Sequence, residues 1–147
     1  MLFFVNDYGY GAHPKVLEHL TETNMQPLTG YGNDEITASA AEKIKAACAC
    51  PEGQVYFLTG GTQTNMVVID ALLRSYEGVI AADTGHISVH EAGAIEATGH
   101  KVIALPTDDG KITARQIEDY VHWHRTDPSS DFIVQPGMVY ISHPTRS

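Results

Sequence analysis

Two alternating patterns of apolar and polar residues run through most of the 147-residue chain. Short, continuously apolar runs such as residues 79–82 are typical of parallel strands that are buried on both faces of a sheet. Between these runs, apolar residues recur at helical spacing, as at Met66, Ile69, Leu72 and Leu73, and predict a helix with an inward face. The alternation predicts right-handed βαβ units in an α/β fold, with an open, mostly parallel sheet and flanking helices.

The same patterns set the limits of the predicted elements and divide the chain. Residues 1–50 are expected to form an N-terminal helical segment, and residues 51–147 part of an α/β domain. Thr113 followed by Gln116 is a capping box, which marks the start of a helix. The predicted helices cover residues 14–23, about 34–48, 62–75, 87–98 and 113–124. The predicted strands cover residues 54–58, 78–82, 101–105 and 138–142.

Composition narrows the class of protein. The net charge of -9 argues against a nucleic-acid or anionic-membrane partner. No apolar run approaches membrane-spanning length, and the apolar start is too short for a secretory signal. Cys48 and Cys50 are one residue apart, a spacing that suits neither a usual disulfide nor a complete zinc site. We expect two buried or half-buried thiols in a cytoplasmic protein.

A glycine turn follows the first predicted strand. In Thr59-Gly60-Gly61-Thr62, paired glycines let the backbone approach an anion closely, and the N–H groups at a helix start favour negative charge. The sequence is neither a Walker loop nor GxGxxG. Spacing alone leaves two interpretations open, a phosphate site and a plain glycine turn with a threonine cap.

Histidines follow two other predicted strands, at the edge where ligands bind in open parallel sheets. His86 follows the second strand and is either a water-exposed residue at a helix start or a ligand-facing group. A metal site of His86 with His90 and Glu91 is disfavoured, because Asp83 and His86 fall across a turn and not on one helix face. His143 follows the fourth strand, where a simple strand cap before a proline is the alternative. The remaining histidines are expected to be exposed: His13, His19, His100, His122 and His124.

Several short motifs occur in the order in which a known enzyme family has them. They are Asn6-Asp7-Tyr8, Gly30-Tyr31-Gly32-Asn33-Asp34, Gly61-Thr62-Gln63-Thr64-Asn65, Ala82-Asp83-Thr84-Gly85-His86-Ile87, His90-Glu91-Ala92-Gly93-Ala94, Ala97-Thr98-Gly99-His100-Lys101-Val102 and Asp109-Gly110-Lys111. Together they resemble the N-terminal portion of the threonine aldolase and aromatic amino acid β-eliminating lyase family, whose members are fold-type-I enzymes dependent on pyridoxal 5'-phosphate. The resemblance implies the first part of the large domain of that fold.

The resemblance also implies roles for individual residues. His86 would lie flat against the pyridine ring and help to take a proton from the substrate. Asn6 stands where the family contacts the substrate carboxylate, and Tyr31 lies in a loop that reaches the neighbouring subunit's site in such dimers. His143 lies near the ring and the substrate. The residues implied in holding the cofactor phosphate are Gly60, Gly61, Thr62 and Gln63.

The implied activity is cleavage of threonine to glycine and acetaldehyde, in a protein that is a homodimer or homotetramer at full length. The family's Schiff-base lysine lies beyond the matched region, so the chain is expected to be a truncated part that is inactive alone. Three alternatives remain: β-elimination of aromatic amino acids, a non-catalytic module that binds a phosphorylated ligand, and a metal-dependent hydrolase.

Overall fold

A computed structural model describes residues 9–143 of the chain. Contacts between residues divide the chain into two units, Met1–Phe57 and Leu58–Ser147, and each is described by itself. The expected separation of a helical segment over residues 1–50 from an α/β domain over residues 51–147 stays a prediction.

The first unit contains two helices, α1 (Pro14–Thr23) and α2 (Glu35–Ala47), close to the predicted limits. Pro14 stands in the first turn of α1, where a missing N–H costs nothing. Asp34 caps α2 by accepting a hydrogen bond of 2.8 Å from the Thr37 N–H. The hydrogen bonds from Thr37 hold the pKa of Asp34 below its ordinary value. Cys48 and Cys50 are free and exposed, so the expectation of buried or half-buried thiols was wrong; both follow the end of α2 at Ala47.

The second unit is built on three parallel strands, β1 (Glu77–Ala82), β2 (Val102–Leu105) and β3 (Gln135–Val139). Their order in the sheet is β2-β1-β3, so β1 is the central strand. The predicted α/β fold with a parallel sheet is confirmed. Two strands lie within a residue of their predicted limits, whereas β3 begins three residues earlier than the predicted strand at 138.

The predicted strand over residues 54–58 was wrong. These residues are not assigned to a strand, and Tyr56, Phe57 and Leu58 are exposed. A strand is stabilised by hydrogen bonds to a neighbouring strand, and none of the strands among residues 9–143 pairs with this segment. An apolar run therefore predicted the wrong element here, because its pattern carries no information about a partner.

Helices pack on both faces of the sheet because successive side chains of β1 point to opposite sides. Val79 and Ala81 join one apolar cluster with Ile69 of α3 (Gly61–Leu72). Ile80 joins a second cluster, against which Ile117 of α5 (Ala114–Thr126) packs. Ile69 and Leu73 are buried as predicted and Met66 packs against the first cluster, but Leu72 is 68% exposed, because it lies on the side of α3 away from the sheet.

The predicted helix over residues 87–98 is largely replaced by irregular structure. A short helix, α4 (His86–Val89), is followed only by a single 3-10 turn at Glu96–Thr98. Between them Ala92 and Gly93 have left-handed backbone angles, with φ of 50° and 74°. Continuous helix is impossible through such residues, and the conformation costs Ala92 about 1–2 kcal/mol.

Two histidines that were expected to be exposed are buried, His100 and His124. His100 Nδ1 lies 3.0 Å from the Glu77 carbonyl oxygen, and its Nε2 lies 3.5 Å from Asp70 Oδ1. Such partners allow the His100 ring to be buried, and the flanking sequence does not reveal them. His124 Nε2, in contrast, is buried without a hydrogen-bond partner among residues 9–143. The prediction holds for His13, His19 and His122, which are exposed.

We expect Thr113→Ala to lower the free energy of unfolding by about 1 kcal/mol. The predicted capping box at the start of α5 is confirmed: the Gln116 N–H donates to Thr113 Oγ1 at 3.2 Å, and the Thr113 N–H donates to Gln116 Oε1 at 2.9 Å. Urea unfolding measures the change. Thr113→Ser keeps the hydroxyl acceptor for the Gln116 N–H and should match the wild type. Equal stability of Thr113→Ala and the wild type would contradict the role of the cap.

Candidate active site

The glycine turn opens directly into α3. Gly60 precedes the helix in an extended conformation and makes no side-chain cap, and the helical hydrogen bonds begin with the Thr64 N–H to the Gly60 carbonyl at 3.0 Å. A methyl group placed on Gly60 or Gly61 meets nothing within 4 Å. The first N–H groups of a helix have no acceptor within the helix, so this turn presents backbone donors to open space.

Gln63 fixes the shape of this turn with its side chain. Its Oε1 accepts hydrogen bonds from the Thr59 N–H at 3.0 Å and from Thr59 Oγ1 at 2.6 Å. The side-chain oxygen of Gln63 therefore holds the end of the preceding segment, whereas its backbone N–H belongs to the first turn of the helix. Sequence reasoning did not identify Thr59 as the partner, although a polar residue four positions before a glutamine at a helix start is the available signal.

His86 follows the central strand β1 and begins α4. Its backbone N–H donates to Ser142 Oγ at 2.9 Å, which ties the start of α4 to the chain after β3. Its Nδ1 lies 2.9 Å from Glu91 Oε1. The imidazole is 40% exposed, so one part of the ring is held by the protein and another part faces open space.

A polar cluster behind His86 was missed by sequence reasoning. The Glu91 side chain is completely buried, and its Oε1 also accepts a hydrogen bond of 2.6 Å from Asn65 Nδ2. Asn65 Nδ2 lies 3.4 Å from the Tyr140 hydroxyl. The cluster joins α3, the chain after α4 and the chain after β3, and thereby connects the glycine turn to His86.

A groove of about 500 Å³ lies at the carboxyl ends of β1 and β3. Ala82, Ser142 and His143 line it together with the turn at Asp109–Ile112. In that turn Lys111 Nζ lies 2.9 Å from Asp109 Oδ2, and hydrogen bonding from Lys111 holds the pKa of Asp109 below its ordinary value. The edge of the sheet that was predicted to bind a ligand thus carries a groove with a largely apolar lining, and His143 borders it.

The structure gives little information about the two residues predicted to bind substrate, Asn6 and Tyr31. Asn6 lies outside the described residues. Tyr31 belongs to the first unit, where it has a left-handed φ of 64° and a fully exposed side chain. The roles of Asn6, Tyr31 and His143 toward a substrate stay predictions.

The metal alternative can be compared with the placement of its three residues. The His86 and His90 rings lie 5.5 Å apart between centroids, and Glu91 bonds to His86. Across residues 9–143, no group of three or more His, Cys, Asp or Glu side chains is arranged to hold a metal ion.

A membrane-spanning helix is also absent from residues 9–143. None of the helices there has the length and apolar character that crossing a membrane requires.

The sequence of this chain is similar to part of the sequence of much longer proteins. The low specificity L-threonine aldolase of Pseudomonas aeruginosa is 31% identical over 118 residues, which cover 79% of this chain and 34% of that protein. The enzyme of the same name from a Pseudomonas species is 29% identical over an equal length. This chain spans about a third of the length of these curated relatives.

A solved structure and a family model agree with these relatives. The structure of Leishmania major threonine aldolase matches 97% of this chain and 40% of its own, with a TM-score of 0.89 and 46% sequence identity. That likeness confirms the fold expected from the motifs. The model of the family described as beta-eliminating lyase matches residues 14–135. The chain therefore belongs to the beta-eliminating lyase family, as its ordered motifs predicted.

Proposed function

We propose that this chain supplies the phosphate-binding turn and the ring-stacking histidine of a pyridoxal-phosphate-dependent lyase that cleaves threonine to glycine and acetaldehyde. One observation carries the proposal: the open glycine turn at Gly60 and Gly61 is connected through Asn65 and Glu91 to the half-exposed imidazole of His86. Support also comes from the family and from the relatives, which are named as threonine aldolases.

The described residues fit the phosphate and the ring of this cofactor. Support for an anion site comes from the open surroundings of the turn, since a methyl group placed on Gly60 or Gly61 meets nothing within 4 Å beyond its own chain neighbours and helix backbone. The N–H groups of Gly61, Thr62 and Gln63, together with the Thr62 hydroxyl, would hold the phosphate, and the dipole of α3 favours its charge. When bound, pyridoxal phosphate accepts electrons from the bond that breaks at the substrate α-carbon.

The residues of this chain then supply stacking and proton transfer. His86 would lie against the pyridine ring, and its nitrogen that is not bonded to Glu91 would take the proton of the substrate β-hydroxyl. His143 borders the groove and would contact the amino acid substrate, as would Asn6. Tyr31 would serve the site of a neighbouring subunit in a homodimer or homotetramer of the longer protein. We also propose a cytoplasmic location.

We propose that this chain does not complete the reaction alone, because none of its lysines matches the Schiff-base lysine of the family. Lys111 borders the groove, but its ammonium group bonds to Asp109 and its side chain is 74% exposed. It follows a turn and does not match the family's Schiff-base lysine in the order of elements. Three other lysines are on α1 and α2, namely Lys15, Lys43 and Lys45, and Lys101 directly precedes β2.

We expect the purified chain to bind pyridoxal phosphate at least tenfold more tightly than pyridoxal, because charged hydrogen bonds to the phosphate contribute about 1.5–3 kcal/mol. Equilibrium dialysis measures both affinities. Reduction with borohydride followed by peptide mapping should find no stoichiometric adduct at one lysine, and threonine should yield no glycine.

Equal affinity for pyridoxal and pyridoxal phosphate would contradict the phosphate site. A stoichiometric adduct at one lysine together with glycine release would contradict the inactivity of the chain alone. A non-catalytic module for phosphorylated ligands is the second candidate, favoured by the open glycine turn; it predicts that simple phosphate esters bind as tightly as the cofactor. The family description also keeps β-elimination of aromatic amino acids as an alternative reaction.

A further inference from the structure

Glu91 is a buried acid whose presence the proposed reaction does not explain. Its side chain is 0% exposed, and its Oε2 is buried without a hydrogen-bond partner among residues 9–143. Glutamate is almost never fully buried unless it is paired, because removal of a carboxylate from water is costly. Retention of such a group beside a proposed catalytic histidine indicates a role in its arrangement.

The hydrogen bonds to Glu91 Oε1 determine where the His86 proton lies. Asn65 Nδ2 is a donor, so Oε1 accepts that bond of 2.6 Å. Between Oε1 and His86 Nδ1, 2.9 Å apart, the shared proton belongs on the nitrogen, because imidazole is ordinarily a stronger base than a carboxylate. Nδ1 therefore carries the hydrogen, and Nε2 of the neutral ring keeps a free electron pair.

The backbone is shaped so that this contact can form. In a continuous helix, residues five positions apart lie about 140° apart around the axis, on different faces. Here α4 ends at Val89, and the left-handed Ala92 and Gly93 follow directly after Glu91. Strained backbone conformations persist where the surrounding structure requires them and cluster at functional sites. His90, which lies between α4 and Glu91, has a non-helical φ of -121°, and this break in the helix brings Glu91 within reach of His86.

We propose that Glu91 is a positioning residue, held by Asn65, that fixes the His86 ring with its proton on Nδ1 and presents Nε2 to the proposed cofactor and substrate. The value of Nε2 as a proton acceptor rests on the proposed function, whereas the tautomer does not. Such a pairing of a carboxylate with Nδ1 is a general means of orienting an imidazole and selecting the nitrogen that reacts.

The tautomer can be read directly from imidazole nitrogen and carbon NMR shifts of the labelled, full 147-residue chain. At about pH 8.5, well above the usual imidazole pKa of about 6.5, His86 should carry its proton on Nδ1. In Glu91→Met, which keeps the volume and removes the acceptor, the ratio of Nδ1–H to Nε2–H should fall about tenfold or more. His100 is the internal reference, since its Nδ1 faces a carbonyl oxygen.

Glu96→Met is the matched control, because it makes the same replacement at an exposed carboxylate nearby. It should leave the His86 signals unchanged. A wild-type proton on Nε2, or an unchanged ratio in a folded Glu91→Met, would overturn the proposal. The wild-type spectrum decides the question even if Glu91→Met fails to fold. Because no cofactor is present, a failure to bind pyridoxal phosphate overturns the proposed function and leaves the tautomer result standing.

Discussion

Gly61→Asp is expected to lower the affinity of the chain for pyridoxal phosphate by about 100-fold or more, because two like charges about 4 Å apart repel by about 4 kcal/mol at the effective dielectric of a protein surface. The new carboxylate would stand in the first turn of α3, where the phosphate is proposed to bind. A methyl group on Gly61 meets nothing within 4 Å beyond its own chain neighbours and helix backbone, so the first carbon of the new side chain fits without displacing other residues.

The same substitution should leave the fold as stable as the wild type or slightly more stable. An acid in the first turn of a helix interacts favourably with the helix dipole, by about 0.3–1 kcal/mol. Gly61→Asn is the matched control, with nearly the same shape and no charge, and should retain most of the affinity. Equilibrium dialysis and urea unfolding measure the two effects separately. Unchanged affinity in a folded Gly61→Asp would place the phosphate elsewhere.

Gly78→Ala is expected to lower the free energy of unfolding by about 3 kcal/mol. Gly78 lies in the central strand, where a methyl group would stand 2.7 Å from the Lys101 carbonyl oxygen and 2.7 Å from Val134 Cγ1. The carbonyl belongs to the backbone beside β2, so the strands must separate before the methyl group fits. Separation of the strands is also expected to disturb the candidate active site, because His86 follows the same strand, β1.

Gly60→Ala is the control for Gly78→Ala, because the added methyl group meets nothing within 4 Å. It should unfold within about 0.5 kcal/mol of the wild type, as substitutions away from packed features usually do. Urea unfolding of both variants gives the comparison. Equal stability of Gly78→Ala and Gly60→Ala would contradict the close approach of the strands at Gly78.

The sequence predicted those parts of the fold whose signals are local. The central strand β1 is recognisable because it is apolar on both faces, and α5 is recognisable from Thr113 and Gln116 at its start. The position of His86 follows from the end of β1, whereas the glycine turn is recognisable from its own residues, because the strand predicted before it does not exist. Each of these features is determined by a few residues that are close together in the sequence.

The missed features depend on residues that are distant in sequence. Glu91 is an ordinary polar residue in the sequence, and only the approach of Asn65 and His86 makes it a buried hydrogen-bond acceptor. The burial of His100 depends in the same way on the Glu77 carbonyl oxygen. The irregular stretch after α4 includes left-handed angles at Ala92, which alanine rarely adopts and no composition rule predicts.

The strand order has a consequence for the path of folding. Ile80 pairs with Ile103, about 23 residues away, and with Val139, about 59 residues away, so closing the longer loop costs roughly 0.8 kcal/mol more entropy. We therefore expect β2 to join β1 before β3 does. Ser142 and Tyr140, which contact His86 and Asn65, follow β3. The candidate site is thus expected to be the last part of the second unit to assemble and the first to come apart.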